Sequence, residues 1–208
     1  MFIRITIEGT QKIKHELTPR QNEIVDVALH LMAEGGIGNL TIRHISKRLN
    51  LTEVALYAHF SGKLKIIQAL VSRFEGKVDE MDESQLGWAA VEAALARRTE
   101  LVLATPDLAR VVFSEEQFQG DKEIAQLLYG MMQRHREALL LHFREAVDAG
   151  EIRGDIPLGT LFRLVIGPLR LLIKQWGLSN GSFDLTQKRL ELQESLRKLL
   201  SRQMIHID

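Results

Sequence analysis

The amino-acid sequence predicts an all-α fold, with three helices in an N-terminal domain followed by a larger helical bundle. Apolar residues recur every three or four positions from residue 24 onwards, which is the spacing of one helix face. Thr, Pro, Gly and Asn separate these segments where helices start and stop. With 208 residues, the chain can bury a substantial core in one large or two small domains.

The first predicted helix begins at Pro19 and ends at Gly35 and Gly36. Thr18 is suited to cap this helix, and Pro19 fits its first position. Its predicted buried stripe consists of Ile24, Val25, Ala28, Leu29 and Met32. Residues 1–18 precede it as an N-terminal arm, and the sequence leaves open whether this arm is ordered.

The segment at residues 41–63, TIRHISKRLNLTEVALYAHFSGK, predicts two short helices joined by a tight turn. Thr41 is a suitable N-cap, and Asn50 tolerates the left-handed conformation with which a chain leaves a helix. Thr52 can cap the second helix, which runs to about residue 59, and Glu53 places a negative charge in its first turn. The apolar face of the first helix is formed by Ile42, Ile45 and Leu49. This order is the helix-turn-helix layout.

In such a motif, the second helix enters the major groove of DNA with its first residues against base edges. The net charge of the whole chain is zero, but its distribution is uneven. Residues 1–77 contain 11 Lys plus Arg against 7 Asp plus Glu, whereas residues 78–208 contain 16 against 20. A basic module ahead of an acidic one favours double-stranded DNA as a partner, although ordinary fluctuation can also produce this modest difference.

Residues 24–67 resemble the N-terminal domain of the tetracycline-repressor (TetR) family of bacterial transcription regulators. The resemblance lies in the order of the signals: an amphipathic helix ending in a Gly-containing loop, a Thr-capped helix, a short second helix and then LYAHFSGK at residues 56–63. Ser46 stands where the family commonly has Ala, and Asn50 stands where it commonly has Gly. Two later phrases, TPDLARVVFSEEQF at 105–118 and GEIRGDIPLGTLF at 150–162, resemble segments of the family's C-terminal domains.

The resemblance implies a helix-turn-helix domain at residues 19–65 and an effector-binding and dimerisation domain at 66–208. A helix at 63–81 would connect the two. The remaining predicted helices lie at 86–104, 106–113, 122–149, 157–178 and 184–204.

Eight residues are candidates for DNA contacts. Thr52, Glu53 and Val54 are predicted to face base edges, with Glu53 accepting from a cytosine amino group and Val54 touching a thymine methyl. Glu53 could equally serve only the helix dipole. The candidates for the DNA backbone are Thr41, Tyr57 and Lys63 by resemblance and His59 by position, and Arg43 is a further DNA-contact candidate.

Two further functions are expected in the second domain. A homodimer would read a palindromic operator. The dimer-interface candidates are Leu161, Leu164, Val165, Pro168, Leu169, Leu172, Trp176, Leu192, Leu196 and Leu199. These residues could instead pack on the chain's own core.

A small, largely apolar effector is the second expected partner. The pocket candidates are Trp88, Phe113, Phe118, Leu127, Met131, Met132, His135 and Phe143. The side chains that could meet an anionic group on it are Arg97, Arg98, Arg134, His135 and Arg136. Apolar residues at helical spacing are more often core than pocket, so this alternative stays open.

Other functional classes find little support in the sequence. There is no Cys, and the longest apolar segment, at residues 164–173, is interrupted and falls short of the roughly 20 residues of a membrane span. We expect a soluble cytoplasmic protein. No metal-site spacing, nucleotide fingerprint or nucleophile motif occurs, so we expect no cofactor, no metal and no enzymatic activity.

These observations lead to the hypothesis of a homodimeric, ligand-responsive transcription regulator, acting as a repressor. The alternative is a TetR-like DNA-binding protein of the nucleoid-occlusion type, which acts through a protein partner and takes no small molecule. The sequence leaves the effector, the operator and the regulated genes undetermined.

Overall fold

The computed structural model describes residues 17–78, 84–111 and 120–201, and every regular element in these ranges is an α-helix. The helices are α1 (Pro19–Asn39), α2 (Ile42–Leu49), α3 (Glu53–Tyr57), α4 (Lys63–Val78), α5 (Gly87–Ala104), α6 (Asp107–Val111), α7 (Lys122–Asp148), α8 (Leu158–Leu178) and α9 (Leu185–Leu200). The predicted all-α class is confirmed. Most of the predicted N-terminal arm, residues 1–16, lies outside the described residues.

Helix α1 begins with the predicted cap. The Thr18 hydroxyl accepts a hydrogen bond from the Gln21 amide at 3.2 Å, and the Gln21 side chain accepts one from the Thr18 amide at 3.0 Å. This capping box satisfies two amides that the helix itself leaves without partners. The helix is interrupted at Gly35 and Gly36, as predicted, and Gly36 has a φ of 70° that favours glycine. One further turn then reaches Asn39.

The helix-turn-helix forms as the sequence predicts. The Thr41 hydroxyl accepts from the His44 amide at 3.0 Å, and the Thr52 hydroxyl accepts from the Ala55 amide at 3.1 Å. Between the two helices, Asn50 is left-handed, with φ 57° and ψ 39°. Helix α3 ends at Tyr57, two residues earlier than predicted. Ile45 and Leu56 are fully buried in the same core as α1, so the orientation of α3 is fixed by packing.

Helix α4 joins the helix-turn-helix to the bundle. It contacts α1 on one side and α5 and α7 on the other. In the bundle, α7 packs against α5 and α8, and α9 packs against α5 and α8. Helix α4 runs without interruption across the predicted boundary at residues 65 and 66, and that division stays a prediction.

The start of α5 is held by carboxylates from outside the helix. Glu145 accepts a hydrogen bond from the Gly87 amide at 3.1 Å, and Glu151 accepts one from the Trp88 amide at 2.7 Å. His142 Nδ1 lies 2.9 Å from Glu145. Burial alone would raise the pKa of Glu145, but the hydrogen bonds from Gly87 and His142 outweigh it, so the pKa lies below its ordinary value.

Apart from the extra turn of α1 after Gly36, the predicted helix limits agree with the observed ones to within one or two residues wherever both lie in the described ranges. The predicted ends at residues 81, 113 and 204 lie outside these ranges. Within the described part of the chain, no helix combines the length and hydropathy of a membrane crossing.

Candidate functional site

The first turn of α3 presents a solvent-facing surface. Thr52, Glu53 and Val54 are all exposed, and the Val54 side chain is 80% exposed. Tyr57, at the end of the helix, is 51% exposed, while Leu56 between them is buried. A valine and a tyrosine on the open side of a helix that packs by Leu56 are placed to contact another molecule.

The other DNA-contact candidates surround this helix. Thr41 and Arg43 are exposed, and His59 and Lys63 are half-buried. The Lys63 ammonium group donates a hydrogen bond to the Ile37 carbonyl oxygen at 2.8 Å. This bond holds a positive charge at the edge of the motif, and it also gives Lys63 a structural role that the sequence did not indicate.

A second candidate site is a cavity of about 360 Å³ enclosed by α4, α5, α7 and α8. Its described lining residues are Phe74, Arg98, Met131, Met132, Gln133, His135, Arg136, Leu139, Phe162, Arg163, Ile166, Gly167, Leu169 and Arg170. This volume lies in the lower part of the range of small-molecule sites.

The lining of the cavity is apolar and cationic. It contains four arginines and one histidine but no carboxylate among the described lining residues. Arg98 is only 9% exposed, and its guanidinium donates to the Ala94 carbonyl oxygen at 2.8 Å. A low-dielectric cavity with several positive charges favours an anionic ligand.

The cavity also touches the connecting helix α4. The Phe74 ring meets the His135 ring edge-on, with centroids 6.1 Å apart. The adjacent residue, Glu75, is buried and accepts two hydrogen bonds from Arg134 on α7, at 2.9 and 3.0 Å. The wall of the cavity is therefore linked by packing and by an ion pair to the helix that starts at the DNA-binding motif.

The structure brings only some of the predicted pocket residues to this cavity. Met131, Met132 and His135 line it. Trp88 and Phe143 do not, because they pack against each other in the core with ring centroids 6.3 Å apart. Leu127 is half-buried and does not line the cavity either. Two further candidates, Phe113 and Phe118, lie outside the described residues.

Sequence reasoning missed the contribution of α8, because its apolar face was assigned to dimerisation. Phe162, Arg163, Ile166 and Arg170 all line the cavity. Arg163 and Arg170 are seven positions apart, so they share one face of an otherwise apolar helix. These two arginines were the sequence feature that could have indicated a ligand-binding role for α8.

The predicted dimer-interface residues divide between two faces of the last two helices. Those buried in the chain's own core are Leu161, Val165, Leu169 and Leu196. These four contribute to the chain's own core. The exposed ones are Leu164, Pro168 and Leu199, while Leu172, Trp176 and Leu192 are half-buried. Leu171 and Leu178 are also exposed on α8.

Comparison with known proteins places these features in a family. Residues 24–70 match the family model for bacterial regulatory proteins of the tetR family. The chain is 23% identical over 167 residues to the HTH-type transcriptional regulator SrpR of Pseudomonas putida, covering 78% of this chain and 76% of that protein. It is 22% identical over 172 residues to the fatty acid metabolism regulator protein of Bacillus subtilis, covering 80% and 88%. A third relative is the nucleoid occlusion factor SlmA of Glaesserella parasuis, 25% identical over 145 residues, covering 67% and 70%.

Solved structures show the same fold. The fatty acid degradation regulator FadR from Bacillus halodurans has a TM-score of 0.74 at 18% identity, with 86% of this chain and 95% of that one covered. FadR from Bacillus subtilis, in complex with stearoyl-CoA, has a TM-score of 0.69 at 19% identity, with 84% and 96% covered. At these identities the likeness concerns the fold alone. The matched helix-turn-helix, together with the similarity of most of the chain to known regulators, identifies the protein as a TetR-family transcription regulator.

Proposed function

We propose that the protein is a ligand-responsive repressor that binds a palindromic operator as a homodimer. The observation that carries this proposal is the cavity of about 360 Å³ whose wall includes Phe74 on α4. Because α4 starts directly after the DNA-binding motif and packs on α1, a ligand in this cavity touches a helix that is joined to the motif by the chain and by packing.

In the proposed complex, the start of α3 reads base edges. Glu53 accepts from a cytosine amino group and Val54 contacts a thymine methyl, while Thr41, Arg43 and the residues at the edge of the motif contact phosphates. The exposure of Val54 supports this assignment, since only an uncovered side chain can enter the groove.

The division of roles is testable by substitution. Lys63→Ala should weaken binding to all sequences alike and reduce the salt slope by about one unit. Lys63→Arg is the control, because it keeps the charge while the hydrogen bond to Ile37 can be re-formed. Val54→Ala should change the preference between operators. Identical shifts for the Lys63 and Val54 variants on every operator would contradict the division.

The dimer is proposed to form through the outward stripe of α8. This stripe repeats at intervals of four, three, four and three residues, which is the spacing of a helix–helix seam. Its members are Leu164, Pro168, Leu171, Gln175 and Leu178. Leu199 on α9 is exposed as well. Leu171→Glu should give a monomer by sedimentation, whereas Leu141→Glu, which charges an exposed leucine on α7, should leave a dimer. A dimeric Leu171 variant would place the interface elsewhere.

The effector is proposed to be an anionic amphiphile of the acyl-CoA type. Two similarities support this class: the Bacillus subtilis fatty acid metabolism regulator in sequence, and the FadR complex with stearoyl-CoA in fold. The cationic, otherwise apolar cavity fits the same chemistry. This refines the expectation of a largely apolar effector by adding a negative charge.

Release from DNA then follows from differential affinity. The effector stabilises a conformation in which the two helix-turn-helix motifs of the dimer no longer match the spacing of the operator half-sites. Its effect depends only on how much more tightly it binds this conformation than the DNA-binding one.

The nucleoid-occlusion alternative has the similarity to SlmA in its favour. A protein-partner role predicts an exposed apolar or charged patch in place of an enclosed cavity. The exposed apolar stripe of α8 is assigned to the dimer, and on α7 the exposed residues Tyr129 and Leu141 are twelve positions apart, about 18 Å along a helix. The cavity enclosed by α4, α5, α7 and α8 is the observation that favours the ligand-responsive proposal over this alternative.

The decisive experiment is the selection of bound fragments from random duplex DNA at near-physiological salt, with the protein's mass in solution measured alongside. Recovery of one palindrome by a dimer would support the proposal and provide the probe for ligand release. Salt-sensitive binding with no enriched sequence, or a monomer, would refute it.

A further inference from the structure

The mouth of the cavity carries a pair of adjacent guanidinium groups. Arg163 donates to the Gly159 carbonyl oxygen at 2.9 Å. Arg136, on α7, reaches the same glycine: a Cβ placed on Gly159 would lie 3.4 Å from Arg136 Nη2 and 3.6 Å from Arg163 Nη1. The two side chains thus converge from α7 and α8 on one point of the cavity rim.

These two arginines are not neutralised by the described part of the chain. No ion pair joins either of them to a carboxylate among residues 17–78, 84–111 and 120–201. By contrast, the neighbouring Arg134 is bound to Glu75. Like charges brought together repel each other, so this arrangement favours a negatively charged third group between them.

The interior of the cavity differs from its mouth. Arg163, Gly167 and Met132 are exposed, whereas Met131, Leu139 and Leu169 are buried. A ligand with a charged end and an apolar body would therefore enter with its apolar part first. A methylene-sized group occupies about 30 Å³, close to the volume of one water molecule in the liquid. A cavity of about 360 Å³ therefore has room for about 12 such groups.

We infer that the cavity binds a phosphate-bearing amphiphile with an apolar chain of about 10 to 12 carbon atoms, whose phosphate is held between Arg136 and Arg163. A phosphate monoester carries about −1.5 to −2 charges at neutral pH, which matches two guanidinium groups better than a carboxylate does. This inference rests on the proposed function only for its regulatory meaning, because binding itself requires no DNA.

The test is a series of direct titrations by calorimetry, each below the aggregation concentration of the probe. Decyl phosphate should bind at least about 10-fold tighter than decanoate, and decan-1-ol should be weaker still. From hexyl to decyl phosphate the affinity should rise with each methylene. At hexadecyl phosphate the rise should have stopped, because the cavity is already full.

Substitutions locate the phosphate. Arg136→Met and Arg163→Met should each weaken decyl phosphate about 10-fold or more, while binding of decan-1-ol changes little. Arg144→Met removes a positive charge from an exposed position on α7 that does not line the cavity, and should change affinity less than about 2-fold. Circular dichroism confirms that each variant is folded.

Several outcomes would overturn the inference: no binding of decyl phosphate, equal binding of decanoate, affinity that still rises at hexadecyl phosphate, or equal effects of the Arg144 and Arg163 variants. Failure of the proposed function gives a different result. In that case decyl phosphate binds with the expected dependence on Arg136 and Arg163 but leaves the affinity for operator DNA unchanged.

Discussion

The ion pair between Glu75 and Arg134 allows a quantitative prediction about the link between α4 and the bundle. The Glu75 residue is only 6% exposed, and both its carboxylate oxygens accept hydrogen bonds from the Arg134 guanidinium, at 2.9 and 3.0 Å. Arg134 itself is 52% exposed at the side chain. Arg134→Met removes the guanidinium but retains a long apolar side chain, so it leaves a buried carboxylate without this partner.

Breaking a fully buried pair typically costs about 3–5 kcal/mol. Because Arg134 is half exposed, water can partly solvate the carboxylate in the variant, and we expect a smaller loss of about 2 kcal/mol. In a chain of this size, 1 kcal/mol shifts the melting temperature by about 2–4 °C, so the melting temperature should fall by about 4–8 °C. Glu75→Met together with Arg134→Met should recover most of this loss, because replacing a buried ion pair by an apolar pair of similar volume often leaves the stability unchanged.

The assay is thermal unfolding followed by circular dichroism, with both single variants and the double variant forming a mutant cycle. Lys198→Met is the control, because Lys198 pairs with Glu194 at 2.6 Å on a fully solvated helix face. Its loss should leave the melting temperature nearly unchanged, because water solvates both partners. If Arg134→Met costs no more than Lys198→Met, or if the two single losses at the buried pair simply add, the reasoning is wrong.

Three further predictions concern stability. Ser46→Ala should raise the melting temperature by about 2–4 °C, because the buried Ser46 hydroxyl has no hydrogen-bond partner among the described residues. Gly177→Ala should destabilise the fold by about 1–3 kcal/mol in denaturant unfolding, because the added Cβ would lie 2.8 Å from the Ala109 Cβ on α6. Glu145 has a lowered pKa, so its contribution to stability is complete at neutral pH and is lost as the pH falls below about 4.5; Glu145→Gln should therefore reduce the dependence of the melting temperature on pH in that window.

The sequence predicted those features that depend on local interactions. The caps at Thr18, Thr41 and Thr52 and the left-handed turn at Asn50 each involve residues within a few positions of one another, so side-chain chemistry alone indicates them. Helix limits follow from these signals for the same reason.

Features that depend on tertiary packing could not be predicted in this way. Helix α8 is apolar on more than one side, and spacing cannot tell which side meets α7 and which meets solvent. Neighbouring positions could therefore not be separated: Val165 is buried and Leu164 is exposed, although they are adjacent in sequence. Trp88 and Phe143 likewise lie on the predicted helices, but only the crossing of α5 and α7 decides that they fill the core.

Two connections between the DNA-binding motif and the bundle differ in the free energy that they can transmit. The first is a series of polar contacts at the surface: Asp107 on α6 lies 3.0 Å from His30 on α1, and Glu34, one turn further on, accepts from Arg48 on α2 at 2.8 Å. Surface pairs of this kind contribute about 0–1 kcal/mol each.

The second connection is the packing of α4 against the cavity wall through Phe74. Allosteric coupling of about 1–3 kcal/mol is needed to change affinity for DNA by about 5- to 150-fold. A large buried side chain such as that of Phe74 contributes about 1.5–3 kcal/mol when fully removed from water, so a ligand that changes its packing acts on a contact of sufficient strength. The exposed polar contacts of α1 with α2 and α6 can adjust the position of the motif, but a switching free energy of this size requires buried packing such as that of Phe74 on α4.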